Sequence, residues 1–222
     1  MSVADVFDDY LKALVAGDRA GCQRIVQQLL DADTDLKSIY VDLFQVSMYR
    51  IGELWERNVI SVAVEHMATG ITESLLPLVY GRLFGRRHVD RSALIACVPS
   101  EYHQIGVHII ADFFELHGWN GHCLGANTPI EGLLEAIAEM RPDVVGLSAS
   151  LAYNLPVLAD MAEAVATRHP ETAILFGGRA LTFGQGEFAP EALSRRFPQA
   201  TYVSSIDFLE AYIESPRWRN PP

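Results

Sequence analysis

Residues 93–106 read ALIACVPSEYHQIG, and this stretch decides how the second half of the chain folds. Its first six residues, 93–98, are all apolar. An unbroken apolar run of that length suits a strand buried on both faces, whereas a half-exposed strand would alternate. Pro99 and Ser100 break the run, and the pattern then turns helical over 103–117. The same rhythm continues outward, with strands expected over 121–124, 143–147, 173–176 and 201–203. Helices are expected between and after them over 130–140, 155–168, 190–197 and 207–213. Short apolar strands alternating with helices specify an α/β fold with a five-stranded parallel sheet covered on both faces. Ligands in such sheets sit beyond the carboxyl ends of the strands, where the strand order reverses.

The first half has a different period. Between residues 2 and 86 there is one proline, Pro77, and helical spacing runs almost throughout. From Asp35 to Arg57, Leu36, Ile39, Tyr40, Leu43, Phe44, Ile51 and Leu54 follow i, i+3, i+4, i+7. Asp18, then Thr34 or Asp35, then Ser61 are candidate N-caps, the last for a helix running through Gly81. Four helices with short loops imply a bundle. The charged stretch 85-GRRHVDRS-92 reads as a linker, which sets domains of 1–88 and 89–222. The tail 215-SPRWRNPP-222, rich in proline and basic, reads as flexible or as a docking peptide.

Composition narrows the function. The 222 residues are 50% hydrophobic, enough for a sizeable core, and the net charge of −11 opposes a phosphate-binding surface. Cys22, Cys97 and Cys123 are too few and too scattered for a disulfide framework or a zinc ribbon. No basic-then-apolar leader opens the sequence, and no apolar run approaches the ~18 residues of a membrane span. A cytoplasmic protein that touches neither membrane nor nucleic acid is expected. No Walker loop, G-x-S-x-G or H-E-x-x-H is present. His108, His117 and His122 lack metal-ligand spacing and read as helix and loop residues, and Glu131 and Glu135 as an exposed helix face.

The strand ends carry the chemistry. After the first strand, Glu101 precedes His103 by two residues and Gly106 follows by three. Glu101 is close enough to accept the proton of one ring nitrogen and so fix the tautomer of a metal-bound imidazole, and Gly106 lets backbone pass close to a bulky ligand. After the third and fourth strands come Ser148-Ala149-Ser150 and Gly177-Gly178. Small residues at neighbouring strand ends leave a slot for an elongated group, with the Ser148 hydroxyl facing a buried polar atom.

Together these pieces resemble the cobalamin-binding domain family, whose pattern is D/E-x-H-x-x-G, then S-x-L, then GG; Ser150 stands where leucine is usual. The resemblance spans essentially the whole chain, because the family's usual partner is an N-terminal four-helix cap. It implies a flavodoxin-like (Rossmann-type) cobalamin-binding domain at 89–222, C-terminal to that cap. It further implies His103 as lower axial cobalt ligand, Glu101 as its hydrogen-bond partner, and Ser148, Ser150, Gly177 and Gly178 around the nucleotide tail.

Methyl-carrying members usually read D-x-H-D-I-G-K-N, whereas this chain reads Glu101-Tyr102-His103-Gln104-Ile105-Gly106-Val107-His108. In the helical half Trp55 is followed, after nine residues, by Glu65-His66. Alone, Trp55 would be a core residue, Glu65 a helix-dipole partner and His66 a buried histidine. The combined spacing is similar to that of cobalamin-dependent photoreceptors such as light-sensitive repressors of carotenoid synthesis. That similarity implies Trp55, Glu65 and His66 around the upper ligand of adenosylcobalamin, with methyl- or hydroxocobalamin as alternatives. Those repressors carry a helix-turn-helix and a histidine directly after the tryptophan; here the bundle begins within the first residues and that position is Glu56. The expectation is a non-enzymatic light sensor acting through a protein partner, such as a transcription regulator, or through self-association. A corrinoid methyl-carrier subunit and a haem or other tetrapyrrole sensor are the alternatives.

Overall fold

The computed structural model describes residues 1–83 and 88–218. The chain divides into two compact units, residues 1–85 and 86–222. Of the expected linker, residues 85–87 lie outside the described residues.

The first unit is helical. Helix α1 (Val3–Ala16) ends at Gly17, whose φ of 71° makes the left-handed turn that a side chain would oppose. Helix α2 (Arg19–Asp31) starts at Asp18, whose carboxylate accepts the Gly21 N–H at 2.9 Å. Helix α3 covers 36–56, and Asp35 caps it by accepting the Ser38 N–H at 3.1 Å. Over Ile39–Gln45 α3 adopts the wider π-helical winding before returning to α-helix over Val46–Glu56. Helix α4 covers 62–83 and starts at Ser61. It tightens to 3₁₀ over Leu76–Val79, where Pro77 has no N–H to give an α-helical bond, and resumes over Tyr80–Leu83. The expected four helices are present, the last two with breaks the periodicity did not show. Tyr10 and Leu14 of α1, Val26 and Leu29 of α2, Tyr40 and Phe44 of α3, and Ala68 and Leu75 of α4 are buried together. Phe44 anchors this core, its ring 6.3 Å from that of Tyr10 and 6.2 Å from that of Tyr40.

The second unit is a parallel sheet of β1 (Ser92–Cys97), β2 (Asn120–Gly125), β3 (Val144–Ser148), β4 (Ala173–Gly177) and β5 (Ala200–Tyr202). Strand order is β2-β1-β3-β4-β5, so the order reverses between β1 and β3. Helices α5 (Ile105–Leu116), α6 (Ile130–Met140), α7 (Leu155–Arg168), α8 (Pro190–Arg196) and α9 (Ile206–Ile213) connect and close it. Leu94, Ala96, Val145, Leu147, Ile174 and Phe176 of the sheet share one core with Leu133, Leu158, Val165 and Leu193 of α6, α7 and α8. The unbroken apolar strands are thus explained by helical cover, as expected of a parallel sheet. The register sets Cys97 beside Ser148 and Ser148 beside Gly177, so three strands end level.

Two expectations are corrected. The tail is held as far as Trp218: a turn at Pro216–Trp218 brings its ring 5.1 Å from Trp119 and 5.6 Å from Tyr212. Aromatic packing there outweighs the disordering effect of proline and charge; residues 219–222 lie outside the described residues. His122 is not a loop or helix residue but an exposed position on β2. Among the described residues no helix is long and apolar enough to cross a membrane.

Candidate functional site

The carboxyl ends of β1, β3 and β4 build the site. His103 lies in the loop between β1 and α5, two residues before the helix starts. Its Nδ1–H donates to Glu101 Oε1 at 2.5 Å, and its backbone N–H donates to the same oxygen at 3.1 Å. The Glu101 side chain is fully buried, whereas that of His103 is 44% exposed. With Nδ1 committed to the carboxylate, the Nε2 lone pair is the ring atom left to bind a ligand.

A buried carboxylate needs several donors. Beyond His103, the second oxygen of Glu101 accepts the Ser150 N–H at 2.7 Å, the Leu151 N–H at 3.2 Å and the buried Asn154 side-chain amide at 3.1 Å. Burial works against this charge, but the hydrogen bonds from His103, Ser150 and Asn154 outweigh it and hold the carboxyl at about 2, so Glu101 is ionised. Neighbouring loops brace the backbone: the Ser100 N–H donates to Asn127 Oδ1, and the Asn127 N–H to the Glu101 carbonyl oxygen. Asn154, Leu151 and Asn127 were not singled out from the sequence. They act across 26 to 53 residues of chain, and nothing in their local pattern marks them.

The slot residues divide. Ser148 ends β3 half-buried, and its carbonyl oxygen accepts the Val98 N–H. Ser150 contributes its backbone N–H to Glu101, a role that any residue but proline could fill. Gly178 has φ +101°, and a Cβ on it would lie 2.1 Å from the Ala149 carbonyl oxygen, so only glycine fits. At Gly177 and Gly106 a Cβ would meet nothing within 4 Å; both border open space. A cradle left open at two glycines beside an outward-facing imidazole fits a large flat ligand. No group of three His, Cys, Asp or Glu residues able to hold an ion exists among the described residues. One imidazole with no companion ligands fits a metal that carries its own macrocycle, as cobalamin does.

In the helical unit, Trp55 lies in the last turn of α3 and is 46% exposed, so it is not a core residue. Glu65 and His66 lie in the first turns of α4. His66 Nδ1 is 2.6 Å from Glu65 Oε2, and Thr69 donates to Glu65 Oε1 at 3.1 Å. His66 is exposed, its side chain 75% accessible, which excludes the buried-histidine reading.

A parallel sheet of this order, with a carboxylate-supported histidine after β1 and a helical bundle ahead of it, defines a corrinoid-binding class of protein. Comparison with known families agrees: residues 91–196 match a B12 binding domain, and residues 6–79 match a second B12 binding domain. The chain belongs to the B12-binding domain proteins that carry the helical cap. It is 30% identical over 142 residues to the HTH-type transcriptional repressor CarH of Myxococcus xanthus, covering 64% of this chain and 46% of that one. To the repressor CarA of the same organism it is 34% identical over 125 residues, 56% of this chain and 42% of that one. The chain thus spans less than half the length of these repressors. It is also 26% identical over 154 residues to trimethylamine corrinoid protein 1 of Methanosarcina mazei, 67% of this chain and 66% of that one. The fold is that of a solved monomethylamine corrinoid protein from Methanosarcina barkeri, with TM-score 0.80, 15% identity, and 96% and 99% of the two chains covered.

Proposed function

We propose that this chain is a cobalamin-binding light sensor that signals through protein contacts and not through DNA. The observation that carries the reading is His103, held by ionised Glu101 at the point where strand order reverses. Light sensing, as distinct from cobalamin binding, is supported by the spacing of Trp55 from Glu65-His66 and by the similarity to CarH. A bound cobalamin supplies a cobalt–carbon bond that green light breaks. His103 Nε2 would hold the cobalt, and Glu101 keeps the Nδ1 proton in place so that Nε2 stays a donor to metal. Gly177 and Gly106 leave room, Gly178 lets β4 turn closely past Ala149, and Ser148 and Ser150 line the tail pocket. We assign Trp55, Glu65 and His66 to the upper ligand, adenosyl being the expected form. The helical unit is the element whose equilibrium reports loss of that ligand, to a transcription regulator or a second copy in the cytoplasm. On this reading the chain performs no catalysis.

The test is to load the protein with adenosylcobalamin in darkness and record absorption and hydrodynamic size before and after green light, with His103→Ala as control. The expected result is a histidine-ligated spectrum absent from the variant, and a change in size on illumination. Unchanged size and unchanged circular dichroism after complete photolysis would refute sensing. The similarity to trimethylamine corrinoid protein 1 favours a second reading, a carrier subunit of a methyltransferase system. That reading requires a methylcobalamin form that a methyltransferase partner can demethylate. A Soret-dominated spectrum in freshly purified protein would point to haem instead.

A further inference from the structure

The helical unit carries an apolar groove that none of the residues assigned to cobalamin lines. Phe7 and Leu11 of α1 form one wall, Val46 and Tyr49 of α3 the other. Val46 and Tyr49, one turn apart on α3, are 42% and 43% exposed, so the wall they form is open to a partner. The groove encloses about 490 Å³ and continues, through Phe7, Asp8 and Val46, into a recess of about 790 Å³ bordered by Asp35 and Asp42.

The rim is acidic, and its acids are not equivalent. Glu53 is paired with Arg50 at 2.6 Å, Asp33 with Arg82, and Asp35 is spent on the α3 cap. Asp8 and Asp42 have no cationic partner among the described residues, and they flank the apolar floor from its two walls. A second copy of this chain would set the same acidic rim against itself, on a molecule already at −11. A helix with an apolar stripe and flanking Lys or Arg meets both features at once. Asp42, Val46, Tyr49 and Glu53 follow one another at helical spacing on α3. Eleven residues of rise make that stripe about 16 Å long, which fits three turns of an occupant helix.

We propose that the α1–α3 groove docks a basic amphipathic helix of a partner protein. The proposal deepens the reading that output passes through protein contacts, and rests on it only for its biological direction. The probe is a fluorescein-labelled Leu/Lys peptide of about five turns with its leucines on one face, against a scrambled peptide of equal composition, read by anisotropy. The amphipathic peptide binds about tenfold or more tighter than the scrambled one, and Asp8→Asn/Asp42→Asn weakens it about tenfold and flattens its salt dependence. Val46→Glu abolishes binding. Because both aspartates are exposed, the double variant still tests the groove if Val46→Glu disturbs the bundle. Equal binding of the scrambled peptide, or wild-type affinity in the double variant, overturns the proposal. So does a wild-type dimer in sedimentation that Val46→Glu dissolves, since the groove would then be a self-interface. The cobalamin spectrum of each protein is recorded in parallel. A wild type that binds the peptide but shows no light response refutes the sensor and leaves the groove standing, and the reverse pattern separates the two the other way.

Discussion

The Glu101 carboxylate shows what single residues contribute and how much of that can be read in a sequence. The acid–histidine pair was legible because its members are two positions apart, and the short hydrogen bond between them follows from that spacing. Asn154 was not legible, because its partner lies 53 residues away and an asparagine in a short turn has no pattern. Yet its amide is one of the donors that keep a fully buried charge affordable, so Asn154→Ala should cost about 2 kcal/mol. A urea titration of cofactor-free protein reads this as a lower midpoint; an unchanged midpoint would mean the remaining donors suffice. The paired glycines separate in the same way. Their sequence marked a tight turn and a slot without saying which residue served which. Gly178→Ala drives a methyl into the Ala149 carbonyl at positive φ and should cost about 3 kcal/mol or more. Gly177→Ala meets nothing and should leave the midpoint within about 0.5 kcal/mol of wild type, while weakening cobalamin retention measured by gel filtration and absorbance. Equal loss of stability in both variants would show that the slot is assigned to the wrong glycine.

Whole elements were more legible than side-chain roles, because periodicity and caps are local. Asp18, Asp35 and Ser61 start helices as expected, and each strand was placed to within two residues. The π-helical stretch Ile39–Gln45 was invisible, since its apolar spacing satisfies an ordinary helix. The docked turn at Trp218 was missed because it is held by rings on distant elements, Trp119 and Tyr212. Helix α2 offers a test of element packing. Burial, helped by the charge of Asp18, pushes the Cys22 thiol from 9.0 up to about 11. A thiol with a raised folded pKa contributes stability that is whole below pH 9 and is lost as pH climbs to 11. Two units correspond to about 2–3 kcal/mol. Wild type should therefore exceed Cys22→Ala in urea stability near neutral pH, and the gap should close or reverse between about pH 9 and 11. A gap independent of pH would mean that the thiolate is accommodated without opening the bundle.

For the molecule as a whole, the division into two units separates the residues proposed for binding from those proposed for response. Each unit has its own buried core. The histidine loop, the donors that hold Glu101, and the open glycines all belong to the second unit. Trp55, Glu65 and His66 belong to the first, and with them the proposed response to loss of the upper ligand. A fragment of residues 88–222 should therefore fold, take up cobalamin and show the histidine-ligated spectrum, with His103→Ala abolishing it as in the full chain. Under green light the fragment should still lose its upper ligand, because cleavage belongs to the cofactor. It should do so without the change in hydrodynamic size expected of the full chain, and with faster spontaneous loss of the ligand in darkness. A fragment that folds but cannot ligate cobalamin through His103 would show that the bundle helps to build the lower site. A fragment that changes size on illumination as the full chain does would move the switch out of the bundle and into the α/β unit.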